Sequence, residues 1–154
     1  GAELELRADL RRLHRRLADW RVTSNLALMR SRVQLPADAT LLTTTDRALY
    51  GQSPYLVNLG VEYRNPKLVD VGLLYNVSGA RIADVGIEGL PDTYEQPMHR
   101  LDLVATKVVA SQWKLKLSVS NALAQRVQLR QGDITVSDYQ PGVSIGLGVE
   151  WTPE

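Results

Sequence analysis

The sequence has no cysteine, no phenylalanine and only two histidines, and none of its apolar runs is long enough to cross a membrane as a helix. Without cysteine there can be neither a disulfide framework nor a thiolate metal site. His14 and His99 stand far apart, with no metal-ligand spacing to another histidine, and both read as ordinary surface or interface residues. A formal charge of +1 gives no reason to expect a nucleic-acid partner. The one basic cluster, Arg11, Arg12, Arg15 and Arg16, has no interleaved aromatics on which bases could stack, and it reads as a solvated turn or helix face.

Catalytic constellations are equally scarce. No nucleophile lies beside a base, so neither an enzyme activity nor a cofactor is expected. Asp84, Glu88, Asp92 and Glu95 share one connection but do not follow a calcium-loop pattern. Gly146-Leu147-Gly148 lies inside a strand with no helix after it to supply an anion-binding end, so it is no phosphate loop. The opening GAELELRADL lacks the oily core of a signal peptide, so an exported protein would be represented here by its mature form or by an excised portion.

What the chain has is alternation. In the stretch from Tyr55 to Val77, residues Tyr55, Val57, Leu59, Val61 and Tyr63 oppose Asn58, Gly60 and Glu62. Past an Asn65-Pro66 turn, Val69, Val71, Leu73, Tyr75 and Val77 oppose Asp70, Gly72, Asn76 and Ser78. Period two on both sides of a tight turn predicts a β-hairpin with one oily and one polar face. The same pattern predicts strands over about 3–12, from Trp20 to about Gln34, over about Arg100 to Val109, from Trp113, and over Val143 to Trp151. Residues 3–18 also carry a helical spacing through Leu6, Leu10, Leu13 and Leu17, so the first segment is open between strand and helix.

The connections alternate short and long, as tight periplasmic turns and larger extracellular loops do in an outer-membrane barrel. Trp20, Tyr63, Trp113 and Trp151 all fall at strand ends beside the short turns and on the oily face, where an interfacial aromatic girdle would place them; Tyr55 and Tyr75 lie nearer the other end. Lys114 and Lys116 fall on the polar face, which suits a wet lumen, and Gly60, Gly72, Gly146 and Gly148 would leave space there or mark bends.

Five segments in register, GQSPYLVNLGVEY, GLLYNVSGARI, GLPDTYEQPMHRLDLV, WKLKLSVSNALAQ and YQPGVSIGLGVEW, resemble consecutive pieces of the C-terminal barrel region of TonB-dependent outer-membrane receptors. The resemblance spans nearly the whole chain. It implies a barrel of about 22 strands around an N-terminal plug, active uptake of a metal chelate, cobalamin or glycan, and TonB acting through the plug, which is absent from this sequence. Trp151 stands near the place of the aromatic, usually phenylalanine, that ends family barrels, and Ser78 stands where the family pattern has phenylalanine.

The expected fold is therefore all-β: an antiparallel up-and-down transmembrane β-barrel portion of about seven strands, spanning 1–154 and part of a larger barrel in the bacterial outer membrane. Its partners would be outer-membrane lipid and the remaining strands and plug, from the same or another chain. Loop residues Arg47, Tyr50, Arg81, Asp92 and Tyr94 are the candidates for ligand contact. Two alternatives stand beside this reading: a barrel-completing structural subunit without transport, and a soluble β-barrel that binds an apolar ligand.

Overall fold

A computed structural model describes residues 1–36, 41–65, 67 and 69–153. In chain order the strands are β1 (Ala2–Asp9), β2 (Trp20–Leu28), β3 (Val33–Gln34), β4 (Asp46–Arg47), β5 (Tyr55–Asn65), β6 (Val69–Ser78), β7 (Arg81–Asp84), β8 (Thr93–Glu95), β9 (Met98–Ala110), β10 (Trp113–Ser120), β11 (Val127–Gln131), β12 (Ile134–Tyr139) and β13 (Ser144–Trp151). No α-helix occurs among the described residues. Seven strands form one antiparallel meander in the order β1-β2-β5-β6-β9-β10-β13, and the sheet stays open, with β1 and β13 as its edges. A closed soluble barrel made by this chain alone is therefore not what it forms.

The ambiguous first segment is a strand that ends at Asp9, three residues earlier than its alternation suggested. Two 3-10 turns, Leu10–Arg12 and Arg15–Leu17, follow it and hold the arginine cluster, so that Arg11 and Arg12 lie in a turn and not at the end of the expected strand. The second predicted strand stops at Leu28 and does not run to Gln34. Leu28 pairs with Tyr55, and the residue before Tyr55 is Pro54, which has no N–H to extend the ladder. Pro54 instead accepts a hydrogen bond from Met29 through its carbonyl, at 2.9 Å. The predicted hairpin is present, Asn65 pairing with Val69, although Pro66 of its expected turn lies outside the described residues.

The long connections carry structure of their own. One contributes β7 and β8 and another β11 and β12, which combine in a four-stranded sheet of order β12-β11-β8-β7; β3 and β4 make a separate ribbon in the first. This end of the molecule also holds its only buried hydrophobic side chains among the described residues, Val77 and Ile82. Gly86 is obligatory there, because a Cβ would strike the backbone of Leu90 and Pro91.

Among the described residues nothing covers either face of the large sheet. Leu147 is 85% exposed, Ile145 70% and Leu4 67%. The total accessible surface is 10989 Å², against about 7,700 Å² for a compact monomer of this mass.

Candidate functional site

Three surfaces carry the groups singled out in the sequence: the oily face, the polar face and the loop end. On the oily face, Trp20 and Tyr63 are cross-strand partners with ring centroids 5.2 Å apart, and Trp113 and Trp151 are partners at 6.1 Å. Both pairs stand at the short-turn ends of their strands. Within the sheet, however, they do not share one hydrogen-bonded row.

Their offset follows from the stagger of the strands. One row runs through Arg21, Glu62, Gly72, Val104, Ser118 and Gly146. The first hairpin ends on this row, at Asp9 and Arg21; the second ends three residues past it, at Asn65 and Val69; the third ends five past it, at Trp113. That advance is about 17 Å over four inter-strand steps of about 19 Å in all, an inclination of about 40°. The aromatic pairs advance by four residues over the same number of steps, which is about 35°. Strands of membrane barrels tilt by about 35–45°. At that tilt the hairpin ends come level, and so do the two aromatic pairs.

The same geometry sets the other rim. At that tilt a strand would rise about 2.6 Å per residue, which would put Tyr55 and His99 about 22 Å from the level of the aromatic pairs. Tyr75 sits lower, but its hydroxyl reaches up to His99 Nδ1 at 2.6 Å. Sequence reasoning passed over His99 in this role, although its odd number on a strand with Leu101 and Leu103 puts it on the oily face. It also passed over Lys107, which lies opposite Leu115 on that face. Val109, where the predicted strand ends, is the extra residue of a bulge, so the alternation ends at Val108.

The polar face lines an open depression of about 930 Å³. Asn25, Asn58 and Asn76 occupy one row and form a ladder in which Asn76 Nδ2 donates to Asn58 Oδ1 at 2.6 Å and Asn58 Nδ2 to Asn25 Oδ1 at 3.4 Å. Arginines and carboxylates alternate around it, Arg21 with Asp9 at 2.8 Å and Arg100 with Asp102 at 2.9 Å. Lys114 pairs with Glu150 at 2.9 Å on the same face. Of the four glycines expected to leave space there, Gly72 has nothing within 4 Å of where a Cβ would stand, whereas at Gly60 and Gly146 a Cβ would meet the Thr23 and Ser118 hydroxyls. Two of them thus accommodate neighbours, not a guest.

At the loop end the structure brings four of the five candidate ligand residues together and leaves Arg47 on the separate β3-β4 ribbon. Most of the four are engaged in holding the loops. Arg81 forms a forked ion pair with Glu95, its strand partner, at 2.9 Å. Asp92 is buried and accepts from the Gly86 N–H at 2.8 Å. Tyr50 donates to the Ala83 carbonyl at 2.9 Å. Tyr94 remains partly exposed beside Arg130, its strand partner, at a shallow depression of about 380 Å³.

Two exposed ion pairs clamp the loops further. Arg126 beside Asp138, helped by Gln128, holds that carboxyl below the ordinary carboxylate range, and Arg32 does the same to Asp46. Among the described residues no three His, Asp or Glu side chains converge as a metal site. No family model matches the chain, and neither a curated protein nor a solved structure is similar to it.

Proposed function

We propose that this chain is the C-terminal wall and extracellular-loop portion of a TonB-dependent outer-membrane receptor, in which the oily face meets lipid and the polar face lines the lumen. One observation carries this reading: the oily face of the sheet stands open, Leu147, Ile145, Leu4 and Val149 all being well exposed, and the Trp20-Tyr63 and Trp113-Trp151 pairs come to one height at the tilt a membrane barrel requires. A water-soluble sheet would bury that face, and none of the described residues covers it. The receptor assignment adds the five family-like segments, and uptake of a metal chelate or glycan is what membership would bring.

The two edges constrain what completes the barrel. Seven alternating strands leave β1 and β13 running in the same direction. Copies of this chain arranged around one barrel axis would therefore meet in parallel junctions, and a two-fold that made the junction antiparallel would turn one copy upside down in the bilayer. An antiparallel closure needs an odd number of further strands of different sequence, in the same polypeptide or in another. Unpaired strand edges in hydrocarbon cost several kcal/mol per group, so these strands are obligatory.

A second reading, a structural subunit that completes a multi-chain barrel without transport, is favoured by the engagement of Arg81, Asp92 and Tyr50 within the loops. The natural precursor separates the two: a plug sequence upstream in the same reading frame supports the receptor, and its absence supports the subunit. The lipid-facing assignment is tested with phospholipids brominated in their acyl chains. Quenching of tryptophan emission in the assembled protein is expected, and emission quenched by aqueous iodide alone would overturn it.

A further inference from the structure

Resting on the lipid-facing reading, we propose that Lys107 and the apolar groove beside it form a site for one anionic phospholipid, the ammonium taking the phosphate and the groove taking an acyl chain. Lys107 is a cation on an otherwise oily face. Its height is what points to a headgroup. It lies three residues past the reference row on β9, and the line joining the Trp20-Tyr63 and Trp113-Trp151 pairs crosses β9 within one residue of that position. The lysine therefore stands in the aromatic girdle, at the level of lipid phosphates.

The groove runs from this lysine toward the centre of the band. It measures about 400 Å³; Lys107 lines it together with Val69, Leu115, Leu117, Leu147 and Val149, and Thr106, Lys116 and Gly148 of the alternate positions also contribute to its wall. Leu117 and Leu147 lie further from the short-turn end than Lys107, on the side that acyl chains would occupy. The backbone supports the placement: the bulge at Val109 falls between Lys107 and the third hairpin turn and ends the regular pairing there.

The charge is also uncommitted. Lys114, on the opposite face, is paired with Glu150, whereas no carboxylate lies within ion-pair distance of Lys107 among the described residues. The nearest acid along the neighbouring strand, Asp70, pairs with Thr106 and belongs to the polar face. A phosphate is the counter-ion this surface lacks, and a free phosphate would leave the groove empty. An anionic phospholipid satisfies both.

The experiment uses the assembled protein in phosphatidylcholine bilayers doped with a small fraction of acyl-brominated lipid, either phosphatidylglycerol or phosphatidylcholine. Bromines on phosphatidylglycerol should quench tryptophan emission more strongly at equal dose, because one basic group near the surface enriches an anionic lipid about fivefold. Lys107→Gln should abolish that excess, Lys107→Arg should keep it, and Lys114→Gln on the polar face should leave it unchanged. Equal quenching by the two lipids, or an excess that survives Lys107→Gln, overturns the site while leaving the lipid-facing sheet intact. Absence of quenching by either lipid overturns both.

Discussion

An arginine walked along β13 reads the direction of the oily face more directly than any deletion. Leu147 is four residues from Trp151, which at the inferred tilt is about 10 Å above the aromatic level. That is close to the middle of an apolar band about 25 Å tall. Leu147→Arg should therefore cost about 2–4 kcal/mol of folding stability in the bilayer. Val149→Arg, about 5 Å above the girdle, should cost less, and position 151 almost nothing. Gly148→Ser, on the polar face where a Cβ finds only ordinary contact with Lys116, should stay within about 0.5 kcal/mol. The assay is urea unfolding of the assembled protein in phosphatidylcholine bilayers, followed by tryptophan fluorescence. Because Leu147 is 85% exposed within the chain, an arginine there would cost under about 0.5 kcal/mol if the face met water. A flat profile, whether uniformly cheap or uniformly costly, would refute the reasoning, since only a bilayer makes the cost depend on depth.

Ile82, 1% exposed at the loop end, should cost about 2–5 kcal/mol when replaced by alanine; limited proteolysis should then cut within 81–95 while the large sheet stays protected. The Asp138 and Asp46 carboxyls have lower pKa values folded than unfolded, so the stabilisation from their arginine pairs is complete above the ordinary carboxylate value and is lost as the pH falls through the depressed one. Loop-end protection measured by hydrogen exchange should therefore hold from pH 8 to 5 and fall only in acid, and Asp138→Asn should remove that dependence at its strand. Cysteines placed at the β1 and β13 edges of differently tagged copies should form no copy-to-copy disulfide in the membrane, and an efficient cross-link would contradict the parity argument.

The seven-stranded meander was legible because period-two alternation is written into each strand independently of its neighbours. Leu101, Leu103 and Ala105, or Leu115 and Leu117, declare their face without knowledge of their partners. What alternation cannot express is register. The bulge that displaces Val109, the termination of β2 opposite Pro54 and the pairing of Arg81 with Glu95 all depend on which strand lies beside which. The loop end was illegible for the same reason. Strands as short as Thr93–Glu95 carry too few residues for a period, and they are defined by their partners, Leu129, Arg130 and Gln131 on one side and Arg81, Ile82 and Asp84 on the other. Four of the candidate ligand residues lie together at the loop end, but the polar groups of Arg81, Asp92 and Tyr50 are engaged by the loops themselves.

The division of burial between the two ends has an energetic consequence. Ordering each backbone residue costs about 1–2 kcal/mol, and in water that cost is met mainly by hydrophobic burial, which this chain provides almost nowhere except around Val77 and Ile82. In a bilayer the balance changes twice over: the oily face is transferred out of water, and every ladder hydrogen bond becomes one that cannot be exchanged for solvent. On the proposed lipid-facing reading the large sheet would gain its stability from lipid and further strands, while the loop end is held within the chain by Asp92, Ile82 and the Arg81-Glu95 fork. On that reading, acquisition of the sheet and insertion into the membrane would be a single event, which the three tryptophans, all at the short-turn ends of their strands, would report from one end.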